Sequence, residues 1–142
     1  MKPLVPACKE CGREIVRRQV LVTIPGLDPK LSPNARPHWR ARPKLVKNAN
    51  TIAIAAGRDA WNRAQYGKPF RHAHMAIHYK WCGREPDHDN FVAQCKSYVD
   101  GIRRAGVFHD DDPKHLTREW PTFSRVKHKN QVEVIFTITE VS

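Results

Sequence analysis

The sequence FRHAHMAIHYKW, at residues 70–81, decides the fold because apolar and polar side chains alternate along most of it. Successive side chains of a β-strand point to opposite faces of a sheet, so this alternation predicts a strand with one buried face. The predicted buried face carries Ala73, Met75, Ile77, Tyr79 and Trp81, and the other carries His72, His74, His78 and Lys80. The histidines fit either a metal patch or an exposed strand face. The strand runs directly into CGREPDHDN, residues 82–90.

Helical patterns occur both before and after this strand in the sequence. A helix is predicted over residues 43–65, and its alanines indicate close packing against a sheet. Its apolar stripe consists of Leu45, Ala49, Ile52, Ala53, Ala56, Ala60 and Ala64. A second helix is predicted over residues 90–104. Its stripe consists of Phe91, Cys95, Tyr98, Val99 and Ile102.

Further strand patterns occur at residues 15–24, 116–126 and 131–141, the last two around a turn at Lys129 and Asn130. The resulting order, β-α-β-α-β-β, predicts an α+β fold with a mixed sheet and two main helices packed on it. The chain has 142 residues, which suits one domain, here residues 15–142. Residues 1–14 are short and polar and are interpreted as an N-terminal appendage.

Charge is distributed unevenly along the chain. The formal net charge is +11, and residues 1–84 hold seventeen Lys and Arg against four acids. Residues 85–119 reverse this balance, with eight acids against five Lys and Arg. A basic body around an acidic focus is typical of a protein that binds a polyanion and holds a divalent cation against it. Nucleic acid is therefore the expected partner.

Other classes of protein fit the sequence poorly. No apolar run approaches eighteen residues, and residues 1–12 lack the apolar core of a signal peptide, so neither a membrane span nor secretion is expected. We expect a cytoplasmic protein whose four cysteines are reduced rather than bridged.

The acidic focus begins with Asp87 and Asp89, just after the central strand. In extended backbone these two side chains would point to one side, and Asp89 also occupies a predicted helix N-cap position. Lys96 lies seven residues later, nearly two helical turns, so it shares a face with Asp89 and can stabilise charge on a bound phosphate. Alternatively, Lys96 pairs with Asp100 on the helix surface. Acidic clusters of this kind are also common as solvated turns.

Asp87-His88-Asp89-Asn90, then Lys96, Asp100-Gly101, Ala105-Gly106-Val107 and Asp110-Asp111, resembles the active-site signature of the RusA family of Holliday-junction resolvases, mostly phage and prophage enzymes. The resemblance covers roughly residues 20–141. It implies a homodimeric, Mg²⁺-dependent endonuclease, with Mn²⁺ as a substitute metal, in a bacterial or phage-infected cell. It also implies that Asp87, Asp89 and Asp111 are catalytic metal ligands and that Lys96 contacts phosphate. Because Asp110, Asp111 and Asp112 are consecutive, the third ligand stays open among them, and counting back to Asp100 favours Asp111. The interval from Asp89 to Lys96 is about one helical turn longer than in the best-known family form.

A basic segment precedes the first helix and is expected to bind DNA. Its candidate contacts are Arg36, His38, Trp39, Arg40, Arg42, Lys44 and Lys47. Trp39 can stack on an unpaired base or, alternatively, cover the core of the domain.

Cys8 and Cys11 form one half of a zinc knuckle within the appendage. A structural Zn²⁺ needs four ligands, and no second pair follows at standard spacing. Another cysteine, a histidine or a partner subunit would have to complete the site. The alternative is a pair of cysteines that binds no metal.

These observations predict an endodeoxyribonuclease that resolves four-way DNA junctions by paired phosphodiester hydrolysis. One alternative is a nuclease for flaps, forks or other branched DNA. Others are a non-catalytic, zinc-stabilised DNA-binding module and a catalytically inactive junction binder.

Overall fold

The computed structural model describes residues 17–33, 35 and 40–141, which form a single α+β domain. Within these residues, five strands make one mixed sheet, and two α-helices accompany it. The mixed sheet and the two main helices are as the sequence predicts, whereas the sequence predicts four strands. In chain order the elements are β1 (Gln19–Ile24), α1 (Arg42–Ala64), β2 (Ala73–Trp81), α2 (His88–Arg104), β3 (Leu116–Arg118), β4 (Thr122–Arg125) and β5 (Glu133–Glu140). No described helix has the length and apolar character needed to cross a membrane.

The strand predicted from the opening stretch, β2, lies inside the sheet. The strand order is β1-β5-β2-β3, in which β5 runs antiparallel to β2 and places Ile138 opposite Met75. The predicted strand at residues 116–126 is wrong as one element, because it is interrupted at residues 119–121. Pro121 has no N–H to donate to a neighbouring strand. The two resulting pieces, β3 and β4, both run parallel to β2, so β2 lies between them and β5.

Both helices cover the same face of the sheet. The predicted stripe of α2 is confirmed, since all five of its apolar side chains are buried in the core. Phe91 stacks on Tyr79 of β2, with ring centroids 4.7 Å apart and the ring planes 6° from parallel. The face of β2 predicted to be buried is thus the face that α2 covers.

The two helices approach each other through small residues. A Cβ atom added to Gly101 of α2 would lie 2.5 Å from the Cβ of Ala53 and 2.8 Å from the carbonyl oxygen of Asn50. The prediction that the alanines of α1 pack against a sheet was therefore incomplete, because this alanine faces the other helix. Ile52, predicted to be buried, is 48% exposed, since it lies about 100° around the helix from Ala53.

Candidate active site

Helix α2 begins beside the acidic motif. Asp87 is its N-cap: the backbone there is still extended, and its Oδ1 accepts a hydrogen bond from the backbone N–H of Asn90 at 3.0 Å. The prediction of Asp89 as the N-cap was wrong, because the chain becomes helical at His88 and Asp89 lies within the first turn. The two carboxylates consequently do not share one side of an extended segment. Asp87 thus has a structural function that the sequence did not predict for it.

A cavity of about 570 Å³ lies beside the middle of α2, and we call it the charged cavity. Its walls come from the start of α1, from α2, from the loop that precedes β3 and from the end of β3. They consist of Arg42, Val46, Asn50, Val92, Ala93, Lys96, Ser97, Asp100, Asp111 and Arg118. The fold thereby brings Lys96 and Asp111, which are fifteen residues apart in the sequence, to one site.

Lys96 is available to a ligand in this cavity. The carboxylate of Asp100 is engaged by Arg103 at 2.8 Å and by Arg104 at 3.3 Å. No ion pair between Lys96 and Asp100 occurs in the described part of the chain, so the structure does not form the surface pair that was the alternative for Lys96. The hydrogen bond to Asp100 raises the pKa of Arg103 above its usual value.

Two further wall residues were not predicted from the sequence. Arg118 extends from the end of β3, and its Nη2 lies 4.0 Å from Oδ2 of Asp111. Asn50 is only 7% exposed; its Nδ2 donates to the carbonyl of Val46, and its Oδ1 has no hydrogen-bond partner among the described residues. A buried amide oxygen without a partner is costly unless water or a ligand donates to it. No local sequence signal marks either residue, because both reach the cavity through long-range packing.

The three consecutive aspartates that precede β3 have different surroundings. Asp110 Oδ1 accepts the backbone N–H of Asp111 at 2.7 Å. Asp112 accepts two backbone N–H groups, and its Oδ1 lies 2.7 Å from Nδ1 of His115, a contact that lowers the pKa of Asp112. Of the three, Asp111 is the one in the wall of the charged cavity. The metal-ligand role that the family resemblance implies for Asp111 stays a prediction.

The predicted metal ligands are not gathered into one preformed group. Within residues 17–33, 35 and 40–141, the single set of acids and histidines with ligand atoms all within 4.8 Å of one another is Asp110, Asp112 and His115. Asp89 is exposed on the first turn of α2 and is not one of the residues that line the charged cavity, although Val92 and Ala93, one turn further along the same side of the helix, do line it. Asp87 instead lines a different cavity, of about 910 Å³, together with Arg84; this cavity shares no lining residue with the charged cavity.

The histidines of β2 form hydrogen bonds across the exposed face of the sheet. His74 contacts Thr117 at 2.8 Å, and His78 contacts Thr122 at 2.6 Å and Ser124 at 2.8 Å. They do not form a metal-ligand group in the described structure. These contacts fit the exposed-strand alternative.

Part of the predicted DNA-binding segment is described. Arg42 is the first residue of α1 and lies in the charged cavity, and the exposed residues Arg40, Lys44 and Lys47 accompany it. Arg36, His38 and Trp39 lie outside the described residues, as do Cys8 and Cys11 of the proposed zinc knuckle. The contacts predicted for those five residues stay predictions.

Fold and site together define a two-layer α+β domain with a cavity of mixed charge between its helices. A protein of Xylella fastidiosa strain Temecula1, described as an uncharacterized protein, is 33% identical to this chain over 134 residues. The match covers 93% of this chain and 84% of that protein, and the chain belongs to the same family. No family model matches the chain. That description assigns no activity to the Xylella protein.

Proposed function

We propose that this protein is a Mg²⁺-dependent endodeoxyribonuclease of the RusA type, which resolves four-way DNA junctions as a homodimer in the cytoplasm of a bacterial or phage-infected cell. The observation that carries the proposal is the charged cavity, where Lys96 and Asp111 meet next to Arg42 and Arg118. Three cations beside two carboxylates, Asp100 and Asp111, suit a phosphodiester bound together with a metal ion.

The acidic residues fit Mg²⁺ in their chemistry. Mg²⁺ prefers oxygen ligands and is commonly held by one or two carboxylates together with waters and substrate phosphates. Asp111, Asp89 and the oxygen of Asp87 that is not used in capping would hold it, although the structure does not gather these three carboxylates into one group. The unpartnered Oδ1 of Asn50 fits a water molecule of such a site. When bound, Mg²⁺ polarises the scissile phosphate and makes a bound water more acidic.

The side chains of the cavity have separate tasks in this proposal. Arg42 and Arg118 neutralise and orient the phosphate, for which the planar guanidinium group is well suited. The ammonium group of Lys96 stabilises negative charge that develops as the bond breaks. A homodimer presents two such sites related by two-fold symmetry, which suits paired cuts in a four-way junction.

The test is cleavage of a labelled four-way junction and of a linear duplex with the same sequences, in Mg²⁺ or in a chelator. Asp111→Asn and Asp89→Asn should abolish cutting and leave junction binding intact, because they remove ligand charge but little packing. Asp59→Asn is the matched control, since Asp59 is an exposed acid of α1 paired with Arg63. Normal cutting by Asp111→Asn, or cutting by the wild type in chelator, would contradict the proposal.

Asp87 allows a sharper version of this test. Asn and Asp are about equally good N-caps, so Asp87→Asn preserves the cap of α2 and removes only the charge. Loss of cutting with unchanged thermal stability would identify Asp87 as a ligand. Normal cutting would limit Asp87 to capping and leave Asp89 and Asp111 as the proposed ligands.

One observation favours a non-catalytic DNA-binding module as the second candidate. Several acids of the focus have structural partners: Asp87 caps a helix, Asp100 pairs with two arginines, and Asp112 holds His115. A binding module of this kind would hold DNA equally well in chelator and never cut it. A nuclease for flaps or forks would instead cut those substrates faster than the four-way junction in the same assay.

A further inference from the structure

A second, smaller pocket of about 230 Å³ lies next to the charged cavity, and we call it the apolar pocket. Its walls consist of Ile77, Val92, Cys95, Val99, Arg118, Glu119, Trp120 and Pro121. Burial raises the pKa of the Cys95 thiol to about 12, so that side chain is neutral and behaves as a small apolar group. The volume is below the 300–1,000 Å³ typical of pockets for drug-sized ligands, so it suits a single ring system.

Trp120 is the most exposed large apolar side chain in the described structure, at 58%. It lies in the interruption between β3 and β4, where the flanking strands both pair with β2. The N–H of Glu119 still bonds to the carbonyl of Met75 at 3.3 Å, and Pro121 is buried. The indole of Trp120 is therefore exposed to solvent, while the backbone before and after it is fixed by pairing with β2.

The two cavities are adjacent. Val92 and Arg118 line both of them, so a ligand that enters the apolar pocket also reaches the cations around Asp111. A nucleotide has this combination of parts, a flat base and a phosphate close to it. The charge is complementary as well, because the shared wall carries the Arg118 guanidinium and the cavity behind it carries Lys96 and Arg42.

We propose that the apolar pocket receives one unpaired DNA base, stacked on Trp120, from the strand whose phosphate binds in the charged cavity. This inference rests on the proposed function and names the part of the substrate that the site selects. A branched junction supplies an unstacked base more easily than an intact duplex, where unstacking costs a few kcal/mol. Arg118, in the wall that the two cavities share, provides a donor for the edge of the base.

The test is junction binding in chelator, with 2-aminopurine at the branch point as a fluorescent base. Trp120→Ala should raise the Kd for the junction between about fivefold and 150-fold, the range for loss of one base–aromatic stack, whereas Trp120→Phe should lose much less. Binding to the linear duplex should change little. Leu21→Ala is the matched control, because Leu21 is 54% exposed on β1, the opposite edge strand of the sheet. Wild-type protein should quench 2-aminopurine, and Trp120→Ala should not.

Equal junction affinity and equal quenching in wild type and Trp120→Ala would overturn the inference. Circular dichroism checks that the variants are folded. If Trp120→Ala does not fold, the affinity and quenching of Trp120→Phe are compared with those of the wild type instead. The readout does not depend on cleavage, so the two proposals can fail separately. Trp120-dependent binding without any cutting would support the pocket and refute the nuclease, whereas Mg²⁺-dependent cutting with unaltered Trp120→Ala binding would do the reverse.

Discussion

Gly101→Ala tests the packing that builds the charged cavity. Alanine is favoured over glycine inside a helix by about 1 kcal/mol, so the intrinsic effect is stabilising. The added Cβ, however, would lie 2.5 Å from the Cβ of Ala53 and 2.8 Å from a backbone oxygen of α1, and neither distance is possible without movement. Overpacking typically costs about 1–3 kcal/mol, and two such contacts place this case toward the upper end. We expect a net loss of about 1–2 kcal/mol.

Urea and thermal unfolding followed by circular dichroism measure this loss. The midpoint of thermal unfolding should fall by about 2–8 °C, given roughly 2–4 °C per kcal/mol for a chain of this size. Gly26→Ala is the control, because nothing lies within 4 Å of the Cβ it would add. In a double-mutant cycle, Ala53→Gly should recover part of the loss, since it removes the shorter contact.

The same substitution should slow cleavage, because it separates α1 from α2 and so Arg42 from Lys96 across the cavity. A rise in midpoint of the size expected from helix propensity alone would refute the reasoning, since it would mean that the helices are not in contact at Gly101.

Three further predictions concern the site and its surroundings. Lys96→Ala should cut a four-way junction about 10²–10³ times more slowly with little change in binding, and Lys96→Arg should not restore the full rate; a near-normal rate in the alanine variant would mean that another cation serves the phosphate. The double substitution Arg40→Ala and Arg42→Ala should reduce the slope of log junction affinity against log salt concentration by up to about 0.9 per residue. Arg63→Ala, at the far end of α1, is the control and should leave the slope unchanged. An unchanged slope in the double variant would mean that DNA binds another surface of the protein. With the other three cysteines replaced by serine, the Cys95 thiol should react with a thiol reagent at pH 8 only after unfolding. Because its pKa is raised to about 12 from 9.0, its contribution to stability should be lost as the pH rises through that interval, and rapid labelling of the folded protein would contradict its burial.

Local patterns in the sequence determined much of the secondary structure of this protein and which faces of it are buried. The alternation at residues 70–81 and the stripe of α2 predicted which faces are buried, because strand and helix periods depend only on neighbouring residues. The sequence also placed Lys96 and Asp111 as candidates for one site. That prediction needed the motif spacing and the family resemblance as well as periodicity.

The tertiary structure decided what lies around those residues. Where the chain turns into α2 determines that Asp87, not Asp89, caps the helix, and the interruption at residues 119–121 determines that Trp120 is exposed. Arg118 and Asn50 reach the charged cavity only because α1 and α2 pack at Gly101 and because β3 pairs with β2. Such contacts join residues far apart in the chain, so no periodicity of the sequence can report them.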